Sequence, residues 1–227
     1  MIRVAIAGAG RMGQAIAESL KQQDDMELVG LWGRGDDLDR LLLDADVVID
    51  FSLPDGTSQV LETVIRLGKP LVCGVSGLGD EQLAALDAAA SSVPLVYDRN
   101  MSLGIAVLGR SVREAAASLG TDFTVEISEV HHVHKKDAPS GTALKLGEAV
   151  AEARGESGVG SVAFQSERHG EVPGDHEVVM RSPTETLTFA HSVTTRQVFA
   201  DGAIRAARWV VEQEPGRYAM SDVLFGI

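Results

Sequence analysis

Residues 2–13 read IRVAIAGAGRMG, an apolar run that passes without interruption into a glycine loop. A run of this length and type predicts a short buried strand over Ile2–Ala7. Behind the glycines Ile16 and Leu20 fall at helical spacing, so Gln14–Gln22 predicts a helix. Strand, turn and helix in that order give the G-x-G-x-x-G string Gly8-Ala9-Gly10-Arg11-Met12-Gly13 its meaning as a dinucleotide-binding loop. Gly8 permits the tight turn, Gly10 lets a pyrophosphate approach the backbone, and Gly13 allows the helix to pack closely on the strand. The helix N-terminus then faces the phosphates. A glycine turn that holds no ligand is the plainer reading of the same residues.

Outward from this unit the pattern repeats. Met26–Trp32, Asp46–Phe51, Leu71–Cys73 and Val93–Tyr97 predict further strands, with helical stretches at Ser58–Leu67 and Glu81–Ala90 between them. Strands that alternate with helices imply a parallel sheet with helices on both faces, an α/β Rossmann-like domain. After Asn100 the texture changes. Ile105–Leu119 predicts a helix, Phe123–Val130 a strand and Ala143–Glu152 a helix. Three more strands follow at Ser161–Gln165, Gly174–Met180 and Leu187–Val193, then a helix over Gly202–Glu212. Fewer helices among more strands suggest a second, α+β domain with a mixed or antiparallel sheet. The expected division is residues 1–102 for a dinucleotide-binding domain, rejoined by about 203–227 including Tyr218–Leu224, and 103–202 for substrate binding and oligomerisation.

Charge narrows the partners. Thirty-three acidic against twenty basic residues leave a net charge of -13, a field that repels nucleic acid and anionic membrane. The single cysteine, Cys73, excludes an internal disulfide and reads as a small buried residue. No export signal and no stretch of about 20 apolar residues is found, so a cytoplasmic protein is expected.

The end of the second strand, Leu31-Trp32-Gly33-Arg34, bears on the cofactor. Dinucleotide enzymes that use NAD place a carboxylate there for the ribose hydroxyls, whereas an arginine suits a 2'-phosphate. Arg34 offers that fork, and NADPH is the preferred donor on this reading. A solvated arginine near Asp36 and Asp37 is the alternative.

Residues 129–143, EVHHVHKKDAPSGTA, concentrate three histidines and two lysines in an acidic chain. On an extended segment His132 and His134 share a face while His131 points elsewhere unless a turn intervenes. The His-x-His spacing could ligate zinc, but Lys135 and Lys136 repel a dication and no metal is expected. Histidine is readily poised to give a proton near neutral pH, and an adjacent lysine favours negative charge on a substrate. Gly141 and Thr142 can offer donors at a helix N-terminus. The segment therefore reads as a cradle for a small dianion, with a functionless surface loop as the alternative.

The pattern E-x-H-H-x-H-K-x-D-A-P-S-G-T-A closely resembles the signature of the 4-hydroxy-tetrahydrodipicolinate reductase family, formerly called dihydrodipicolinate reductases, enzymes of lysine and diaminopimelate synthesis. GAGRMG, DVVIDFSLPDGT at Asp46–Thr57, CGVSGL at Cys73–Leu78, NMSLG at Asn100–Gly104, GEVPGDHEV at Gly170–Val178 and TRQVFADGAIRAARW at Thr195–Trp209 carry the resemblance across nearly the whole chain. It implies NAD(P)H-dependent reduction of (2S,4S)-4-hydroxy-2,3,4,5-tetrahydrodipicolinate, a small dicarboxylate heterocycle, to tetrahydrodipicolinate. It places the catalytic acid on His131, the assisting lysine on Lys135 and substrate contacts on His132, Gly141 and Thr142. Its dinucleotide contacts fall on Gly8, Ala9, Gly10, Arg11, Met12, Gly13, then Gly74, Val75, Ser76, and Asp98, Arg99, Asn100, Met101. It also implies a homotetramer built through the second domain's sheet; because the two sites fall in different domains, hinge closure that brings them together and excludes water is expected.

Two departures bear on the donor. The family loop is usually one residue longer, and the usual acidic residue before Arg34 is here Gly33; both favour NADPH, with NADH as the second choice. The chain is also short for the family, with trimming expected around 154–160 and 181–186. Without the resemblance, a reductase of another small imino or oxo acid, such as an amino-acid dehydrogenase, and a non-catalytic dinucleotide sensor are the rival readings. The sensor has no use for His131 and Lys135.

Overall fold

The computed structural model describes residues 1–226. The glycine loop joins β1 (Ile2–Ala7) to α1 (Arg11–Leu20), and β2 (Met26–Trp32), α2 (Leu38–Leu43), β3 (Val47–Asp50), α3 (Pro54–Leu67), β4 (Leu71–Cys73), α4 (Asp80–Ala90) and β5 (Pro94–Tyr97) continue the alternation. Next come α5 (Leu103–Leu119), β6 (Thr124–His131), α6 (Gly141–Ala153), β7 (Val162–Arg168), β8 (Asp175–Arg181) and β9 (Thr186–His191). The chain ends in α7 (Gln197–Val210), β10 (Gly216–Tyr218) and α8 (Met220–Phe225).

Two compact units result. One comprises Met1–Leu103 and the chain from Arg196 onward; the other is Gly104–Thr195. The first holds a six-stranded sheet in the order β10-β5-β4-β3-β1-β2, with every pair parallel. Its central strands β3 and β4 are apolar except for buried Asp50 at the end of β3, the near-continuous hydrophobic pattern of strands covered on both faces: Val47, Val48, Ile49, Leu71 and Val72 are fully buried. Strand order reverses between β1 and β3, and the crevice beyond the carboxyl ends of strands at such a point is where open α/β sheets bind ligands. This is an α/β Rossmann-like fold. Cys73 lies wholly inside it, and burial pushes its thiol pKa up.

In the second unit the sheet runs β7-β6-β8-β9, with β6 parallel to β7 and antiparallel to β8, so it is mixed. One face packs against α5 and α6 through Val125, Ile127, Val162, Val178 and Met180, which meet Leu108, Val112, Leu146 and Val150. The other face presents Ala163, Gln165, Glu177, Thr188 and Ala190 to solvent.

Three details differ from the sequence reading, each for a local reason. The last long helix begins at Gln197, not Gly202, and the chain rejoins the first unit at Arg196, ahead of residue 203. Gly202 is a contact point inside that helix: a Cβ there would stand 1.8 Å from the Met101 carbonyl oxygen. Tyr218–Leu224 divides into the end of edge strand β10 and the helix α8. The six-residue α2 was not anticipated; it forms because Asp37 caps it, accepting from the Arg40 amide at 3.1 Å, while Leu38 and Leu42 are buried.

Candidate functional site

The strand period explains how a core strand becomes a polar site. Along β6, Val125 and Ile127 point into the core, and the same face continues as Glu129 and His131. The register brings neighbours to the same level: His131 lies opposite Arg168 on β7, while Glu129 lies opposite Ser166 on β7 and His176 on β8. His176 is in turn opposite His191 on β9. One end of the sheet's core face is thus a row of titratable side chains drawn from four strands.

Glu129 is the centre of this row. Its side chain has no exposed surface, a position that an unpaired carboxylate could not occupy without a cost of several kcal/mol. Arg168 grips it with two bonds, Nη1 to Oε2 at 2.9 Å and Nη2 to Oε1 at 3.0 Å. The Ser140 amide donates to Oε1 at 3.2 Å, and His131 Nδ1 makes a very short contact with Oε2. Burial opposes ionisation of Glu129, but the hydrogen bonds from Arg168, His131 and Ser166 outweigh it and hold its carboxyl below the ordinary value. For His131 the balance is reversed. Burial lowers its pKa, and the hydrogen bond and charge of Glu129 only partly offset that, with the Lys135 and Arg168 charges adding to the depression.

With Nδ1 engaged by Glu129, Nε2 is the other ring nitrogen of His131. It lies against Gly174, where a Cβ would stand 2.8 Å away. A side chain at 174 would abut the ring nitrogen that Glu129 does not engage. The His176 ring meets His131 edge-on, with centroids 5.1 Å apart, and its Nε2 is 3.3 Å from Ser140 Oγ. Burial first, then the charge of His131, push its pKa down to about 3, so His176 is neutral in the folded protein.

Beyond His131 the strand stops and the loop turns. His131 O accepts from His169 N at 2.8 Å, Val133 N donates to Gly170 O at 3.1 Å, and Lys135 N donates to His132 O at 3.1 Å. His131 is therefore buried while His132 and His134 lie on one side with ring centroids 6.0 Å apart. His134, exposed, pairs with Glu171. Lys135 Nζ is 2.9 Å from Asp137 Oδ2. The Ala138–Pro139 bond is cis. Ser140 then caps α6, its Oγ accepting from the Ala143 amide at 3.2 Å, so that Gly141 and Thr142 form the first residues of the helix.

In the first unit, Gly8 has φ +108° and a Cβ there would meet Phe51 O at 2.6 Å; a Cβ on Gly13 would stand 1.8 Å from Gly8 O. A Cβ on Gly10 would meet nothing within 4 Å. The loop is therefore tight where it packs on the protein and open where a phosphate would lie, and no side chain caps α1. The residues fit a dinucleotide. Gly74 is pressed against the Phe51 ring, Val75 is buried and Ser76 is exposed. Asp98 and Met101 turn inward: Asp98 accepts from the Asn100 and Met220 amides, each at 3.2 Å, while Arg99 is exposed. Arg34 is exposed, and both nearby aspartates are engaged elsewhere, Asp36 with the Gly33 amide at 2.9 Å and Asp37 in its cap.

Comparison with known proteins decides the family. The family model for the dihydrodipicolinate reductase N-terminus matches residues 2–101, and that for its C-terminus matches residues 104–224. The chain belongs to the dihydrodipicolinate reductase family. Curated relatives agree: the 4-hydroxy-tetrahydrodipicolinate reductase of Alkalilimnicola ehrlichii is 40% identical, covering 98% of each chain. That of Zymomonas mobilis is 40% identical, covering 96% of this chain and 95% of its own. Among solved structures, a dipicolinate-bound dihydrodipicolinate reductase from Paenisporosarcina sp. TG-14 has the same fold, with TM-score 0.82 at 24% identity over 99% of both chains. The C. glutamicum DAP dehydrogenase shares the architecture more distantly, with TM-score 0.61 at 15% identity over 97% of this chain and 93% of its own. Membership makes this protein an NAD(P)H-dependent oxidoreductase of lysine and diaminopimelate biosynthesis.

The sequence by itself assigns no role to Glu129, Arg168, Gly174 or His176. The signals were partly present. Period-two alternation from Ile127 puts Glu129 on the face of His131, and Gly174 and His176 fall inside the family segment at 170–178. Arg168 carried none, since its place beside His131 follows only from the pairing of β6 with β7.

Proposed function

We propose that the protein reduces 4-hydroxy-2,3,4,5-tetrahydrodipicolinate to tetrahydrodipicolinate with NADPH as preferred donor, His131 giving the proton and Lys135 serving as the fixed cation. One observation carries this reading: Glu129 engages His131 through Nδ1, which orients Nε2 as the proton-giving atom within electrostatic reach of the Lys135 ammonium.

The substrate carries two carboxylates, and as its 4-hydroxy group leaves as water and the ring is reduced, negative charge develops toward the ring nitrogen. Lys135, His132 and the amides of Gly141 and Thr142 hold the carboxylates, with donors and the α6 dipole directed at negative charge. Lys135 also stabilises charge at the nitrogen, and His131 Nε2 delivers the proton that completes the reduction. The dinucleotide, when bound, supplies the hydride. Gly8 through Gly13, Gly74 to Ser76 and the segment 98–101 hold it, and Arg34 pairs with a 2'-phosphate. Because Asp98 and Met101 are buried, exposed Arg99 and half-buried Asn100 are the side chains of that segment nearest to solvent. Assembly into a homotetramer through the open sheet face of the second unit, and a cytoplasmic location, complete the reading.

The test is oxidation of NADPH, followed at its absorbance band, with substrate generated freshly by the preceding synthase. His131→Ala should lower kcat by about 10²- to 10⁴-fold, more than it weakens binding, and Lys135→Ala should damage both kcat and KM. Near-normal turnover in either variant removes that residue from its role, and inactive wild-type protein removes the substrate assignment.

A further inference from the structure

Arg168 stands at the end of β7, thirty-three residues beyond Lys135, and all five of its N–H groups are spent inside the site. Nη1 donates to Glu129 Oε2 at 2.9 Å and to the Glu167 carbonyl at 2.6 Å. Nη2 donates to Glu129 Oε1 at 3.0 Å and to the Asp137 carbonyl, and Nε donates to the Lys135 carbonyl at 3.3 Å. Two of these acceptors belong to the carboxylate that orients His131, and two belong to the backbone that carries Lys135 and its ion-pair partner.

We propose that Arg168 is the positioning residue of this site, a single guanidinium that locks the Glu129–His131 pair and the Lys135 loop into one arrangement. It deepens the functional reading above and rests on it.

A purely structural ion pair would need only the contact between the guanidinium and the carboxylate. Two features go further. The Glu129 oxygen that accepts from Nη1 is the one that His131 Nδ1 contacts, so Arg168 and the imidazole share one carboxylate oxygen. Two of its three remaining donors reach main-chain carbonyls on either side of Lys136, which fixes the loop rather than a side chain. A planar fork with five donors can serve acceptors in several directions at once; an ammonium with three donors on a flexible stem cannot. The charged and titratable groups that face His131 are Glu129 from its own strand, Arg168 from β7, His176 from β8 and Lys135 from the loop. Loss of the guanidinium leaves Glu129 free to favour the protonated ring.

The experiment uses the full-length protein with NADPH and the substrate named above, in wild type, Arg168→Met and Arg168→Lys. Arg168→Met should lower kcat/KM for the substrate by about 100-fold and move the bend of its pH profile to higher pH. Arg168→Lys restores the charge but not the fork, so its bend should return close to the wild-type value while kcat stays at least about tenfold down. KM for NADPH should be unchanged in both, since the residues assigned to it belong to the other unit. If Arg168→Met does not fold, the Lys variant carries the test alone. Wild-type kcat in Arg168→Lys, or a pH profile in Arg168→Met that does not move, overturns the proposal. Wild-type protein that fails to turn over this substrate overturns the functional reading instead.

Discussion

The Lys135 ammonium lies 2.9 Å from the Asp137 carboxylate, and the Gly141 amide bonds the same carboxyl group. Asp137 thus engages the two donors assigned to a substrate carboxylate. With side chains 21% and 55% exposed, the pair is worth about 0.2–1 kcal/mol, which an incoming dianion must overcome. Asp137→Asn keeps an acceptor for the amide and removes the charge. Its KM for substrate should fall by about 1.5- to 5-fold with kcat unchanged, and calorimetric titration with dipicolinate should show the same gain. Unchanged or weaker binding would mean that Asp137 does not compete.

The pH dependence follows from the depressed His131. Its pKa lies below 6.5, because burial outweighs the support of Glu129, and in the proposed mechanism the proton donor is the imidazolium. kcat/KM should therefore be level at low pH and fall, by up to about tenfold per unit, as pH rises through that lowered pKa. Glu129→Gln retains an acceptor for Nδ1 but loses the charge that raises the ring's pKa, so its bend should move to lower pH. A bend at or above the wild-type position would contradict the pairing.

His176 makes a separate prediction about stability. Its pKa is about 3 when folded against an ordinary 6.5, so between those values the unfolded chain binds a proton that the folded one refuses. Stability is fully present above 6.5 and is lost as pH falls below it, by up to about 1.4 kcal/mol per unit for this one group. Urea midpoints at pH 6.5 and pH 5 should reveal about 2 kcal/mol of extra loss in wild type relative to His176→Gln. Equal losses would show that the ring takes up its proton without unfolding.

Arg34 decides the donor on the present reading. Because Asp36 and Asp37 are held by the Gly33 and Arg40 amides, its guanidinium is available to a phosphate. Arg34→Ala should reduce kcat/KM for NADPH by roughly 10-fold or more, the value of one charge-assisted hydrogen bond, and leave the value for NADH nearly unchanged. Parallel losses with both donors would place Arg34 outside the recognition of the 2'-phosphate.

Local signals and long-range ones divide what was legible. The parallel sheet could be read because β1, β3, β4 and β5 are apolar runs between helical patterns, and Gly8 to Gly13 sit where strand meets helix. That His131, Lys135, Gly141 and Thr142 belong to one loop and the helix it opens could be read because these residues are contiguous in sequence. α2 escaped because six residues are too few to establish a period. Gly202 misled because glycine usually marks the edge of a helix, whereas here it admits the Met101 carbonyl. Arg168 and His176 escaped because cross-strand register is a tertiary property: nothing near Arg168 in the sequence announces that it will lie beside His131.

Met101 and Gly202 touch, and they flank the two places where the chain crosses between units. Residues 104–195 are therefore a cassette spliced into the dinucleotide fold with its ends anchored side by side. A bridge of a few residues in place of the cassette should close the first unit on itself.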